Sequence, residues 1–407
     1  MRLLALLAVI GPGIITANVD NDAGGITTYS VAGAHYGYGL LWMMPLVAIL
    51  LIVVQEMSAR LGVVTGRGLA ALIRENLGVR LTAVVIGVLL LANLANTVSE
   101  FAGVAASMEI FGVSKYISVP LAGLVVWLLI VRGNYRSVEK VFLLASGLYL
   151  CYVASGLLAR PDWGEVLHAL VRPSFRLESG FVTMAITIVG TTIAPWMQFY
   201  QQSAIADKGL KPADYRYERL DVVVGSLFAI FVAAFITISC AATIYGRSSI
   251  ETAQDAARAL GPLAGPYAST LFALGLLNAS LFSAAILPLS TAYVVCEAFG
   301  WESGLGRRWR EAPTFFGTYT ALIVLGAGVI LLPIPSLVQA MMLSQTLNGI
   351  LLPLILVVML RLVNDRRLMG RFVNGRFLNT LSRASVGVII LLTVILVLST
   401  FLPAPGP

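Results

Sequence analysis

The sequence predicts an all-α membrane protein of about eleven transmembrane helices, and three observations carry that prediction. Of 407 residues, 58% are hydrophobic and 12% charged, against roughly 25% charged in a soluble domain, so the surface they can build suits lipid rather than water. Apolar runs of about 20 residues, long enough to cross roughly 30 Å of hydrocarbon, follow one another from Leu3 to Leu402. The Lys and Arg residues gather in short segments between those runs. A single transmembrane domain over 1–407 is expected, with no soluble domain beside it.

Hydropathy places the spans at 3–34 (interrupted), 40–61, 81–106, 117–132, 138–158, 179–206 (interrupted), 220–245, 264–299, 313–332, 335–361 and 385–402. The opening MRLLALLAVI has the charged tip and apolar run of a signal peptide. It continues into Gly11-Pro12-Gly13 without a small-residue cleavage site, so it reads as the first half of span one. With the N-terminus inside, the inside segments collect Arg60, Arg67, Arg74 and Arg80, then Lys208, Lys211, Arg216 and Arg219, then Arg361, Arg366, Arg367, Arg371 and Arg376. Of the 27 Lys and Arg residues, all but Lys115, Arg160, Arg172, Arg176, Arg247 and Arg258 then lie inside, as the positive-inside rule demands. The short loops and termini point to a bacterial inner membrane, with the N-terminus cytoplasmic and the C-terminus outside.

The same distribution excludes other classes. The net charge of +7 forms no stripe on an amphipathic helix, so it reports topology and implies no nucleic-acid partner. Cys151, Cys240 and Cys296 all fall in apolar runs, as packing thiols do, and suggest neither a metal knuckle nor a disulfide framework. No Ser-His, Cys-His or HExxH arrangement exists to make an enzyme. Glu56 and Asp221 sit near inner span ends and are expected to be salt-bridged rather than ligands. The sequence carries no signal of an oligomeric state.

Two interruptions stand out. Span one contains Asn18-Val19-Asp20-Asn21-Asp22-Ala23-Gly24-Gly25, where Asn and Asp bond local backbone and the glycines weaken the helix, so an unwound turn is favoured. Span six contains Gly190-Thr191-Thr192-Ile193-Ala194-Pro195-Trp196, where Pro195 removes an amide donor and frees the carbonyl of Thr191. By itself Pro195 reads as well as a simple kink. Asp22 is harder to explain structurally, since a carboxylate at the bilayer centre costs several kcal/mol unless it meets a cation, a partner or water. Breaks in spans one and six suit two inverted repeats of five helices with a substrate site between the broken helices. The repeats would run over about 3–158 and 179–361, with an extra helix at about 385–402.

These residues resemble the NRAMP family of divalent-metal transporters. The family's first-span pattern GPG, DPGN, AGA is matched by Gly11-Pro12-Gly13, Asp22-Ala23-Gly24-Gly25 and Ala32-Gly33-Ala34, with Gly25 in place of asparagine. Gln55, Ser58-Ala59-Arg60-Leu61-Gly62-Val63, Thr65-Gly66 and Leu69-Ala70 match the signature Q-x-x-S-A-R-L-G-V-x-T-G-x-x-L-A. Ser344-Gln345, Leu352-Pro353, Asn364-Asp365 and Leu368-Met369-Gly370 extend the match through span ten. In span six the family's methionine-proline-histidine is Ala194-Pro195-Trp196, and Gln201 stands at a second family histidine.

The resemblance implies a LeuT-type fold and a metal site made of Asp22, the carbonyls of Val19 and Thr191, and Gln345, with Gly25 and Ala194 lining it and making room for water. Replacing the methionine removes a soft ligand and leaves oxygen, and the enlarged cavity suits an ion that keeps several waters, as Mg²⁺ does. The departures are similar to those of the NRAMP-related magnesium transporters, so Mg²⁺ is the expected cargo, with Mn²⁺ also accepted and no cofactor required. Asp20, which has no acidic counterpart in the family, either adds charge to the cation vestibule or caps the end of the first half-helix.

The family's proton route uses histidines in span six and an Asp-x-x-Glu pair in span three, which are Trp196, Gln201, Thr97 and Glu100 here. The chain's two histidines, His35 and His168, lie near the outer face. With no imidazole in the bundle, and Glu100 read as a hydrogen-bonded interior acid rather than a residual proton acceptor, import is expected to be uncoupled and driven by potential. A proton-coupled Mn²⁺ or Fe²⁺ importer is the alternative. A transport-dead membrane sensor on the same scaffold is another, which would need a soluble output domain.

Overall fold

The computed structural model describes residues 11–174, 176, 178–246, 255–257, 266–332 and 337–401, so the first half of the expected span one, 3–10, lies outside the described residues. Helix α1 (Pro12–Val19) starts on a proline, whose missing amide and fixed φ suit a first helical position. Asp20, Asn21 and Asp22 interrupt, and α2 (Ala23–Tyr36) resumes. Then come α3 (Met43–Thr65), α4 (Leu69–Leu77), α5 (Val79–Ile110), α6 (Lys115–Arg132), α7 (Tyr135–Leu148), α8 (Leu150–Leu158) and α9 (Trp163–Val171). The second half holds α10 (Ser179–Thr192), α11 (Pro195–Lys208), α12 (Tyr215–Ile244), α13 (Pro266–Phe299), α14 (Pro313–Leu331), α15 (Leu337–Asn364), α16 (Arg366–Met369) and α17 (Arg376–Phe401).

Among the described residues, nine stretches are long and apolar enough to cross a bilayer: α3, α5, α6, α7 with α8, α10 with α11, α12, α13, α14 and α17. The broken pair α1 and α2, and α15, stand where the first and tenth spans are expected. Large apolar side chains face outward on the peripheral helices, such as Leu121, Leu124 and Val125 on α6 and Leu391 and Val394 on α17, as lipid contact requires. At the centre, α12 packs along α1, α2 and α3, while α13 packs along α5 and α14.

Hydropathy missed what polar residues start or bridge. Helix α12 begins at Tyr215 rather than 220 and carries buried Glu218 and Asp221 in its first turns. Helix α17 begins at Arg376 rather than 385. The short helices α4, α9 and α16 were not expected; at nine, nine and four residues they are too short to cross. Asp162 starts α9 by accepting from the Gly164 and Glu165 amides at 2.8 and 3.2 Å.

The Gly11-Pro12-Gly13 motif acquires a physical reason here. A Cβ on Gly13 would lie 2.7 Å from the Val222 amide nitrogen, and one on Gly225 would lie 2.6 Å from the Ile14 Cα, so α1 and α12 touch backbone to backbone. At that contact the Asp221 carboxylate accepts from the Gly11 and Gly13 amides at 3.0 and 2.7 Å, neutralising the positive end of α1. Asp221 is therefore a helix-end acceptor, in place of the salt bridge expected for it. Glu56 does pair with Arg60, at 3.1 Å, and also accepts from the Tyr215 hydroxyl, while Arg60 donates to the Phe372 carbonyl at 2.9 Å. Lys208 and Glu139 pair at 2.6 Å near the same end of the bundle.

Asp221→Ala leaves two buried amides without an acceptor and is expected to destabilise the fold by about 1–3 kcal/mol. Asp221→Asn keeps an acceptor and should lose less. Thermal unfolding of the detergent-solubilised protein distinguishes the two.

Candidate metal site between two broken helices

Several polar groups at the first break are each claimed by a different neighbour. The Val19 carbonyl, last in α1, accepts from the Ser283 hydroxyl of α13 at 3.3 Å. Asn21 donates its side-chain amide to the Ala229 carbonyl of α12 at 3.0 Å. Asp22 is the N-cap of α2, its Oδ1 accepting from the Gly25 amide at 2.7 Å. The Ala23 amide donates to Glu100 Oε2 of α5 at 3.2 Å. Glu100 is thus an interior acid fixed by a hydrogen bond, and the bonded partner is a helix N-terminus.

Gly25 has a different job from the one its sequence context suggests. A Cβ there would lie 2.6 Å from the Asp20 carbonyl oxygen, so the turn folds back over the first residues of α2. The room left by the missing side chain holds backbone, and a larger residue requires the turn to shift.

The second break separates α10 from α11. Thr192 ends α10; Ile193 (φ −125°, ψ 79°) and Ala194 (φ −87°, ψ 145°) are extended; Pro195 is the first residue of α11. Pro195 therefore begins a new helix rather than kinking a continuous one. Among the described residues, the Thr191 hydroxyl is buried without a hydrogen-bond partner, as are both side-chain amide atoms of Gln201. Trp196 is buried, and its carbonyl accepts from Ser290 of α13 at 3.2 Å.

The Tyr29 hydroxyl of α2 and the Thr192 hydroxyl of α10 share a hydrogen bond of 2.7 Å, which ties the two breaks together. Val19, Asp22 and Gly25 lie at one side of that junction and Thr191 and Ala194 at the other. The Gln345 side chain lies outside the described residues, although its backbone belongs to α15.

Among the described residues no group of three or more His, Cys, Asp or Glu side chains is arranged to hold a metal. The groups described at the breaks are chiefly carboxylate, carbonyl and hydroxyl oxygens, the donor chemistry of a hard cation. His35 and His168 are exposed and far from either break in sequence.

Three participants escaped the sequence reading. Tyr29 lies two turns after Asp22 on the same helix face, a spacing that could have marked it. Ser283 is a hydroxyl in an apolar span with no outward sign of its partner. Met197 is buried, and its sulfur accepts from the Ala194 amide at 3.4 Å, so a thioether sits at the second break although the family's methionine position holds alanine.

The chain matches the family model described as "Natural resistance-associated macrophage protein-like" over residues 13–399. It is 32% identical to a protein of Ralstonia nicotianae named "Divalent metal cation transporter MntH", covering 91% of this chain and 86% of that one. It is 31% identical to a "Divalent metal cation transporter MntH 1" of Pseudomonas aeruginosa, with 96% and 90% covered. The crystal structure of an Eremococcus coleocola manganese transporter superposes with a TM-score of 0.81 at 22% identity, covering 98% of this chain and 89% of that one. The transporter Mhp1, of the nucleobase-cation-symport-1 family, superposes at 0.58 and 14% identity, covering 97% and 94%, which places the chain in the LeuT-type fold. With the match running from the first broken helix almost to the end of the last, this chain belongs to the Nramp family, and it is a transporter rather than an enzyme.

Proposed function

We propose that this protein imports a divalent metal cation, Mg²⁺ foremost and Mn²⁺ as well, down the membrane potential and without protons. The observation that carries the reading is the donor set at the two breaks: a carboxylate, backbone carbonyls and hydroxyls, with no imidazole and with Ala194 where a sulfur ligand would stand. Such a set favours a hard ion that keeps part of its water shell.

In this scheme the cation meets Asp22 and the carbonyls of Val19 and Thr191 between the half-helices. Ser283 occupies one lone pair of the Val19 carbonyl and leaves the other available. The bound ion offsets carboxylate charge that would otherwise cost several kcal/mol at membrane depth. Alternating exposure of the site follows from rocking of one five-helix repeat, about 3–158, against the other, about 179–361. With the N-terminus inside a bacterial inner membrane, the potential supplies about 2.3 kcal/mol per charge per 100 mV, doubled for a divalent ion.

A second reading, a proton-coupled Mn²⁺ or Fe²⁺ importer, is favoured by two observations: the names carried by the relatives, and the Met197 sulfur at the second break. That sulfur accepts one weak hydrogen bond from the Ala194 amide, and the oxygen-based reading rests on the oxygens that outnumber it at the breaks.

Proteoliposomes under a set potential, with a lumenal pH dye, separate the readings. Mg²⁺ entry without a pH change is expected; Mn²⁺ entry with acidification and no Mg²⁺ flux would reverse the assignment. Uptake should be lost in Asp22→Ala and in Asp22→Asn, the second of which keeps an acceptor for the Gly25 amide and so separates charge from capping.

Met197→Leu conserves volume and removes the sulfur. Mg²⁺ uptake in that variant is expected to stay within about twofold of wild type, since thioether is a poor ligand for a hard ion. A collapse of Mn²⁺ uptake alone would assign the sulfur a role in carrying the softer metal.

A further inference from the structure

We infer that Asp20 is a second carboxylate of the cation site, so that two acids rather than one receive the divalent ion; this rests on the metal-transport reading above. Six acidic residues are buried among the described residues, and four of them accept a hydrogen bond or pair with an arginine. Asp22 accepts from Gly25, Glu56 pairs with Arg60, Glu100 accepts from Ala23, and Asp221 accepts from Gly11 and Gly13. Glu218 has no hydrogen-bond partner on either oxygen among the described residues, and the like charge of Asp221 acts on it more strongly than the ammonium of Lys208, but a cation does reach it.

Asp20 differs. It is 3% exposed, and among the described residues its Oδ1 has no hydrogen-bond partner and the one charge acting on it is Asp22, of the same sign. A carboxylate in that position is unfavourable unless something positive arrives. Asp20 also does not act as a side-chain cap for α1, because a helix C-terminus exposes carbonyls and a carboxylate cannot donate to them. The helix-end part of the earlier reading belongs to the Asp20 backbone, whose amide donates to the Asn18 carbonyl.

The charges of both Asp20 and Asp22 reach the Tyr29 hydroxyl, which is bonded to Thr192 at the second break. The Asp22 Oδ1 is turned back to the start of α2, whereas no hydrogen bond among the described residues holds the Asp20 Oδ1. Among the described residues, buried oxygens without a hydrogen-bond partner lie at both breaks, on Asn18 and Asn21 at the first and on Thr191 at the second. Two carboxylates match the charge of a divalent cation and leave a monovalent one overcompensated, so the pair also favours the doubly charged ion.

The test is Asp20→Asn, which keeps the shape and removes the charge, in full-length detergent-solubilised protein. Mg²⁺ alone and Mn²⁺ alone are titrated by calorimetry and by thermal shift. The inference expects affinity for the transported ion to fall at least about tenfold, the metal-induced rise in Tm to shrink, and the metal-free Tm to hold or rise because a like-charge repulsion is gone. Asp20→Glu, which restores charge, should recover part of the affinity. Unchanged affinity in Asp20→Asn overturns the inference, and a lower metal-free Tm with unchanged affinity overturns it in favour of a structural role. If wild type binds Mn²⁺ and not Mg²⁺, the magnesium reading fails, and the Mn²⁺ titration still decides the role of Asp20.

Discussion

A helix that stops at Val19 and restarts at Ala23 uncovers carbonyls and amides at a depth where lipid offers no hydrogen bond. The bundle is arranged around meeting those groups. Span eight supplies Ser283 to the Val19 carbonyl, span three supplies Glu100 to the Ala23 amide, span seven supplies the Ala229 carbonyl to Asn21, and Asp22 covers the Gly25 amide within the turn. Breaking the helix is tolerable because three other helices converge on it and the turn caps itself through Asp22. The same convergence fixes the carboxylates and carbonyls that a cation would use, so the solution to the backbone problem and the construction of the site are one arrangement.

Charge follows from that geometry. The N-terminus of α2 carries a partial positive charge, and Asp22 and Glu100 are both bonded to its first amides. Among the described residues, the Oδ1 of Asp20, at the other end of the turn, has no hydrogen-bond partner, and the charge acting on Asp20 is that of Asp22. The oxygen-rich donor set favours hard ions, and the lone sulfur near the second break is held by a backbone amide.

The far end of α1 is secured by other means. Gly13 and Gly225 let α1 and α12 approach backbone to backbone, and Asp221 collects the amides that the helix start leaves open. Arg60 joins α3 to the segment after α16 through the Phe372 carbonyl. Bonds of this kind have defined partners and can be exchanged in discrete steps, unlike a broad apolar interface, which suits an element that must be released when a transporter changes the side on which its site opens.

Length, hydropathy and breaker residues determined the membrane class, most of the span positions and both interruptions, because lipid imposes a strict composition on each segment and because Asn, Asp, Gly and Pro act through local backbone chemistry. They also singled out Asp22, Val19, Thr191 and Ala194 as neighbours of the breaks. Hydropathy alone could not find the start of α12 or α17, since polar residues that are buried in the fold look like loop. The tertiary structure decided what each polar group faces. It turned Asp221 from a salt-bridge partner into the acceptor for α1, filled the space at Gly25 with the Asp20 carbonyl, brought Tyr29 to Thr192, and left the Asp20 Oδ1 without a hydrogen-bond partner among the described residues. Those outcomes depend on residues tens to hundreds of positions apart, and no local pattern records which distant donor reaches a given acceptor once the helices pack.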